Sequence, residues 1–471
     1  MERKSQLPAF MELKDRKVIV LGLAKSGVAA AQLLLSEGAV VVVNDAKHAS
    51  DLRADIEALG KSPSLTVVTG SHPPDIVDEK TALIVKNPGI SMDLPLLLRA
   101  RELGVTVITE VELAFWQLAA PIVAITGTNG KTTTTALAGE MFAISGRRTF
   151  VAGNIGLPLS SVVKKASAAD VVVAELSSFQ LEGTIYFRPA ISAVLNITPD
   201  HMDRHRSLEK YKQVKARIFA NQTTAEAVVI NADDPEAFDL HDHTAARVYL
   251  FSRKREVGQG AFVRAGHIVL RSRESEVSVC AVTEIAIPGA HNLENALAAS
   301  LLAWLGGVKP VDIAQVLKTF KGVPHRLEYV ETIAGIKFIN DSKGTNTDAA
   351  IKALESYHHP KVLIAGGYDK GSSFDSLAME IKKHVSHVVL IGQVRERLAA
   401  ALRMVGFNEY QIANGLEDAV GRAYRAAAPG WVVLLSPACA SWDMFNNFEE
   451  RGELFKKAVL KLREENNGRK H

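Results

Sequence analysis

Short apolar runs recur along the chain, each closing on glycine or a polar residue and leading into a stretch with helical spacing. That alternation builds parallel sheets covered by helices. The run Lys17-Val-Ile-Val-Leu-Gly22 reads as a buried strand entering a glycine turn, followed by a helix over 28–36 and a strand over 39–43 that ends at Asp45. Further apolar runs at 65–69, 82–85 and 105–108 extend the pattern and predict a first Rossmann-like domain over residues 1–110. A second series begins at Pro121, with strands at 122–125, 170–175 and 191–197, and strand-like alternation over 248–287 predicts a small antiparallel sheet within residues 111–322. Beyond Lys321-Gly-Val-Pro-His-Arg326, which has the composition of a joint, three strand–helix units pair 337–340 with 348–357, 361–365 with 377–384, and 387–391 with 395–404. A helix near 416–428 and a strand over 431–435 complete a second Rossmann-like domain over 323–471.

Chemistry-bearing residues gather where these strands end, the edge at which open α/β sheets bind ligands. After the strand 122–125 comes Gly127-Thr128-Asn129-Gly130, then Lys131, Thr132 and Thr133 opening a helix. Strand, glycine turn and helix N-terminus direct free backbone N–H groups at an anion, Lys131 adds a movable charge, and the hydroxyl of Thr132 or Thr133 can reach magnesium. The strict eight-residue P-loop pattern is not met, because the position five before Gly130 is Ile125; a shorter loop of the same kind fits. The expected class is therefore α/β in three domains, the central one P-loop ATPase-like. Glu175 ends the strand 170–175, where a metal-binding or water-activating carboxylate belongs beside a P-loop. The next strand delivers Thr198-Pro-Asp200-His201-Met-Asp203-Arg204. Tyr211, Val214, Lys215, Ile218 and Phe219 then share one helical face, which puts Lys215 inside an apolar stripe. Either its stem packs while the ammonium escapes to water, or desolvation lowers the amine's pKa and the neutral amine can take up CO2 as a carbamate. Asn292 and Asn295 lie one turn apart on a helix face, suited to a purine or ribose, with helix capping as the competing role for Asn292. At the N-terminus, Gly22-Leu-Ala24-Lys-Ser-Gly27 is the dinucleotide fingerprint with its middle glycine replaced by alanine, and Asp45 suits a ribose or base.

Charge and composition narrow the functions. The 471 residues carry a net charge of +3, so charge alone implies neither nucleic acid nor membrane surface. Two distant cysteines, Cys280 and Cys439, lack metal-ligand spacing and fit a reducing compartment. Met1 to Asp15 carries no apolar signal core, and no run of eighteen apolar residues occurs, so a soluble cytoplasmic protein is expected.

Taken together, Gly-Thr-Asn-Gly-Lys-Thr-Thr (127–133), Asn-Ile-Thr-Pro-Asp-His-Met-Asp-Arg (196–204), His-Asn-Leu-Glu-Asn-Ala (291–296), Pro-His-Arg (324–326) and Asn-Asp-Ser-Lys (340–343) resemble the Mur ligases, ATP-dependent amide-bond formers of peptidoglycan assembly. Three further stretches are similar to the D-glutamate-adding branch: the 22–27 turn, Gly-Gly-Tyr-Asp-Lys-Gly at 366–371, and Leu-Ser-Pro-Ala-Cys-Ala-Ser-Trp-Asp-Met-Phe at 435–445. The Asp-Asn-Pro-Arg motif expected of the diaminopimelate-adding branch is absent from the sequence.

The resemblance implies that D-glutamate is joined to UDP-N-acetylmuramoyl-L-alanine through an acyl phosphate. Gly127, Thr128, Asn129, Gly130, Lys131, Thr132 and Thr133 would hold ATP phosphates, with Thr132 and Glu175 on a first magnesium. His201 and carbamylated Lys215 would hold a second. Asn292, Asn295, Arg326 and Asp341 would contact adenosine or its phosphates. Ser26, Asp45 and Lys47 would face the uridine diphosphate, with Asn154 and His201 nearer the muramoyl end. Thr345, Lys370, Ser441 and Phe448 would clamp D-glutamate. Lys47 follows Ala46 in a segment that varies in the family. A monomer acting on small molecules is expected. The rival readings are a sister ligase adding another amino acid, a P-loop switch that hydrolyses nucleotide without a second substrate, and an NAD-dependent oxidoreductase. The last leaves the P-loop, Glu175 and His201 without a task.

Overall fold

A computed structural model describes residues 12–357, 359–368 and 373–468. It holds three sheets, numbered here in chain order. The first contains β1 (Lys17–Leu21), β2 (Val40–Asp45), β3 (Leu65–Thr69), β4 (Thr81–Lys86) and β5 (Thr106–Thr109) in the order β3-β2-β1-β4-β5, all parallel. β1 lies where the strand order reverses, so the Gly22 turn opens at the switch point of the sheet. Its glycines are required by close approach: a Cβ on Gly27 would collide with the Gly22 carbonyl.

The second sheet contains β6 (Ile122–Thr126), β7 (Thr149–Gly153), β8 (Val171–Glu175), β9 (Ile191–Val194), β10 (Ala227–Asn231), β11 (Arg247–Ser252), β12 (Gly260–Arg264), β13 (His267–Arg271) and β14 (Glu276–Ala281). Its order is β14-β13-β12-β11-β10-β9-β6-β8-β7. The expected antiparallel strands are β12, β13 and β14, hydrogen-bonded onto the parallel sheet through β11 and β12. β6 runs between β8 and β9, with Ile125 paired to Glu175 and Thr126 to Val194. This register puts Glu175 and the segment after β9 on either side of the Gly127 turn.

The third sheet contains β15 (Glu328–Ile333), β16 (Ile336–Asn340), β17 (Lys361–Gly366), β18 (His387–Ile391), β19 (Tyr410–Ile412) and β20 (Val432–Leu435), in the order β15-β16-β20-β17-β18-β19. β20 enters between β16 and β17, which makes the loops after all three neighbours. The short edge strands β15 and β19 were not legible from periodicity.

The chain divides into two compact units, one of residues 1–284 with 294–318 and one of 285–293 with 319–471. The first unit holds the first two sheets and one apolar core continuous through both, from Leu13 to Ala246. The helix Glu110–Gln117 joins them and is buried along nearly its whole length, two carboxylates included. Buried carboxylates need partners. Glu112 accepts the Trp116 indole N–H at 2.7 Å and the backbone N–H groups of Ile185, Tyr186 and Phe187 at 2.8–3.0 Å. Glu110 accepts the Ser160 N–H, and burial pushes its carboxyl up to about 7.

Candidate active site

The Gly127 turn joins β6 to the helix Lys131–Ile144, whose N-terminus has no side-chain cap. Gly130 sits in the left-handed region at φ 84°, and a Cβ there would collide with the Asn295 amide oxygen. Glycine is thus dictated twice, by conformation and by packing. The turn is tied to the segment after β9. Thr128 N–H donates to the Asn196 carbonyl at 2.9 Å, Asn129 N–H donates to Asn196 Oδ1 at 2.8 Å, and Thr198 N–H donates to Thr128 Oγ1 at 3.0 Å. Asn295, expected at adenosine, accepts from Thr134 Oγ1 at 3.3 Å and backs the turn from the helix Ala290–Leu305. Asn292 donates from its amide to the Pro288 carbonyl at 2.6 Å.

Two lysines converge on the turn. Lys131 Nζ donates to the carbonyls of Gly127 at 2.9 Å and Thr128 at 2.8 Å, while Lys215 Nζ donates to the same Gly127 carbonyl at 2.8 Å. Lys215 is 1% exposed, so its ammonium does not escape to water. Desolvation, then the Lys131 charge, holds its pKa well below the ordinary lysine value, opposed by Asp200 and Glu175. Its Nζ lies 4.4 Å from the Tyr211 ring centre.

On the other side of β6, Glu175 Oε1 accepts the Asn154 amide at 2.8 Å, and Asn154 N–H donates to the Glu175 carbonyl at 2.8 Å. Glu175 Oε2 is buried without a hydrogen-bond partner, an arrangement costing about 1–3 kcal/mol unless a further ligand completes it. Among the described residues no three His, Cys, Asp or Glu side chains converge as a ready-made metal centre. An oxygen-preferring divalent ion would therefore need hydroxyl and phosphate oxygens in addition to Glu175, a donor set that suits magnesium. His201 adopts φ 55° at the start of the helix Met202–His205, with Nε2 3.8 Å from Asp200 Oδ2 and its ring 4.8 Å from that of Phe179.

At the first sheet, Asp45 Oδ2 accepts the Leu23 N–H at 2.7 Å and Oδ1 the Lys47 N–H at 3.0 Å, so the acid organises the turn's backbone. Ser26 Oγ is 3.4 Å from the Asn87 amide, and Lys47 is exposed.

In the second unit, Asp341 is fully buried. Its Oδ1 lies 3.6 Å from Arg326 Nη1 and its Oδ2 accepts from Ser436 Oγ at 2.7 Å. Burial raises its pKa, and Arg326 is the largest opposing influence. Thr345 N–H donates to the Lys343 carbonyl at 2.9 Å, Ser441 is buried, and Phe448 begins the C-terminal helix with Lys343 Nζ 5.2 Å from its ring centre. Lys370 lies outside the described residues. Sequence reasoning missed Arg451, a fully buried guanidinium. It donates to Ser342 Oγ at 3.0 Å, the Ser342 carbonyl at 2.8 Å and the Cys439 carbonyl at 3.2 Å, so it fastens the loop after β16 to the loop after β20. Its place on an apolar helix face before a glycine was the available signal.

Comparison with known proteins identifies the three domains. Residues 16–109 match the Mur ligase MurD-like N-terminal domain, 125–303 the Mur ligase middle domain, and 325–439 the Mur ligase glutamate ligase domain. The UDP-N-acetylmuramoylalanine–D-glutamate ligase of Caldanaerobacter subterraneus subsp. tengcongensis is 49% identical over 455 residues, covering 96% of this chain and 100% of that protein. The enzyme of the same name from Clostridioides difficile is 43% identical over 454 residues, covering 96% and 100%. Among solved structures, a UDP-N-acetylmuramate-alanine ligase from Thermotoga maritima shares the fold with a TM-score of 0.59 at 19% identity, covering 95% of this chain and 99% of that one. With all three family domains in order and relatives this similar along their full length, the chain belongs to the Mur ligase family.

Proposed function

We propose that this Mur ligase joins D-glutamate to UDP-N-acetylmuramoyl-L-alanine, with ATP supplying the activation, as a cytoplasmic monomer in peptidoglycan precursor synthesis. Residues 1–110 hold the uridine nucleotide, 111–322 ATP, and 323–471 the amino acid. The observation that carries the reading is the pair Lys131 and Lys215 on one P-loop carbonyl, with the unpartnered oxygen of Glu175 at the end of the neighbouring strand β8. Relatives 43–49% identical that carry this activity in their names support the choice of D-glutamate.

The chemistry must make a carboxylate into an acylating agent. The alanyl carboxylate oxygen attacks the γ-phosphorus, the bond to the bridging oxygen breaks, and ADP leaves with an acyl phosphate formed. The D-glutamate amine then attacks the acyl carbon, phosphate departs with the C–O bonding pair, and the amine loses a proton. Two anions must meet in the first step, so cations that screen them dominate the barrier. Lys131 and the uncapped N-terminus of its helix hold the phosphates, and Thr132 with Glu175 would hold magnesium. Magnesium neutralises phosphate charge when bound. His201 and Lys215, the latter as a carbamate, would hold a second ion. The lowered amine pKa supports carbamylation, because only a neutral amine attacks CO2. Asn292, Asn295, Arg326 and Asp341 serve the adenosine end; Ser26, Asp45, Lys47 and Asn154 serve the uridine and muramoyl groups. Thr345, Lys370, Ser441 and Phe448 serve D-glutamate.

The test is phosphate release from ATP with UDP-N-acetylmuramoyl-L-alanine and a panel of amino acids. D-Glutamate alone should support turnover; release with L-alanine or L-lysine in its place, or release without any amino acid, overturns the assignment.

A further inference from the structure

Two cations and one carboxylate that the proposed reaction does not use hold a single loop of the first sheet. Arg204, in the helix one turn beyond His201, donates from Nη1 to the Gly89 carbonyl at 3.3 Å. Its Nη2 donates to the carbonyls of Pro88 at 3.3 Å and Ile90 at 3.0 Å and to Glu182 Oε2 at 2.6 Å. Lys86, whose side chain is fully buried at the end of β4, donates to the same Pro88 and Ile90 carbonyls at 3.4 and 3.0 Å and lies 3.9 Å from the same Glu182 oxygen. Two like charges share three acceptors, with the Lys86 side chain fully buried and those of Arg204 and Glu182 mostly so. That arrangement is costly unless the position of the loop matters.

The loop leads in two directions. Asn87 N–H donates to the Leu21 carbonyl at 2.7 Å, its amide reaches Ser26 Oγ at 3.4 Å, and a Cβ on Gly22 would stand 2.7 Å from Asn87 Cβ. Residues 87–90 therefore form the floor under the Gly22–Gly27 turn. At its other end, the Arg204 guanidinium lies 5.0 Å from the Phe179 ring centre, and that ring is 4.8 Å from His201. A fixed path runs from the nucleotide turn of the first sheet to the histidine beside the P-loop, all within one compact unit.

We infer that Arg204 is a positioning residue which, with Glu182 and Lys86, sets the 87–90 loop and hence the Gly22–Gly27 turn at a fixed distance from His201, so that the carboxyl end of the UDP-sugar substrate meets the γ-phosphate. The inference rests on the proposed function. Its geometry is specific to a planar fork: a lysine keeps the charge but cannot reach Gly89, Pro88, Ile90 and Glu182 together.

The experiment compares the full-length protein with Arg204→Lys, Asn87→Ala and the double variant. Three quantities are read: calorimetric affinity for UDP-N-acetylmuramoyl-L-alanine, KM for each substrate, and the thermal midpoint. Arg204→Lys should raise Kd and KM for the UDP-sugar about tenfold, with KM for D-glutamate and ATP within about twofold and the midpoint within about 2 °C of the unchanged chain. The double variant should be no worse than Arg204→Lys, because both act through one loop. Equal losses for all three substrates, a fall in midpoint that accounts for the loss of activity, or additive effects in the double variant overturn the inference. The binding measurement separates this outcome from failure of the ligase assignment, which is read from turnover of the unchanged protein with D-glutamate.

Discussion

The turns at Gly22–Gly27 and Gly127–Lys131 share one backbone design yet differ in the side chains that bond to their backbone. Each follows a strand flanked on both sides by parallel neighbours, and each starts a helix without a side-chain cap. At the first, Asp45 accepts the Leu23 N–H, so part of the donor array already faces a carboxylate. At the second, Lys131 and Lys215 crowd a single carbonyl. A helix N-terminus favours anions in general; the side chains around it decide how much anion. The first turn suits a ligand with hydrogen-bond donors at one end, the second a ligand of concentrated negative charge.

Removing a lysine from the second turn tests the contrast most severely. Lys215→Ala should lower kcat by about a thousandfold or more while the circular dichroism stays native, since a cation or metal ligand at a transferring phosphoryl group is worth several kcal/mol. Activity near that of the unchanged protein would make Lys215 a packing residue.

The joint between the two turns comes next. Glu110 is raised to about 7 by burial from an ordinary value of 4.5, so the folded chain keeps a proton there that the unfolded chain releases. Its contribution to stability is full below pH 4.5 and is lost as pH rises through 7. Glu110→Gln keeps an acceptor for the Ser160 N–H and removes the titration, and should stabilise the protein above pH 7 by up to about 3 kcal/mol. Urea midpoints at pH 5 and pH 8 measure this, and an unchanged pH slope would contradict it.

Asp45→Ala should then raise KM for the UDP-sugar about tenfold with kcat nearly constant, as loss of a ground-state contact does; an equal rise in KM for ATP would erase the distinction between the turns. Smallest of all, Asn295→Ala should weaken ATP about threefold, because it loosens the backing of Gly130 without removing a phosphate contact. Nucleotide affinity read by fluorescence titration decides it, and no change would leave Asn295 without a part in the loop.

Much of this was readable along the chain, for definite reasons. Lys215 reveals itself by falling on an apolar helical face, and its 1% exposure removes the snorkelling alternative. Glu175 ends an all-apolar strand, where a carboxylate is conspicuous. The loops after β16, β17 and β20 are rich in hydroxyls and glycines, so their strand-end positions could be matched to a crevice. What was hidden depends on backbone acceptors distant in sequence. Arg204 reaches Pro88 across 116 positions, and a carbonyl leaves no signature in the residue type that bears it. Arg451 was hidden in the same way, since its partners are the carbonyls of Ser342, Cys439 and Ala440. Asp45 was read as a strand-end acid suited to a ribose or base; its bonds to the Leu23 and Lys47 N–H groups arise from local folding that spacing does not encode. β15 and β19 escaped because an edge strand need not alternate.

The Gly127 carbonyl, shared by two lysine side chains, has a practical consequence for handling the protein. The Lys131 ammonium and the uncapped helix N-terminus beside it favour small polyanions, and an anion that binds only the folded chain stabilises it. Sulfate, inorganic phosphate or pyrophosphate in a purification buffer should therefore raise the melting temperature by acting at this one place. Ligand screens run in phosphate would understate nucleotide affinity, and a chloride–HEPES buffer is the fairer reference.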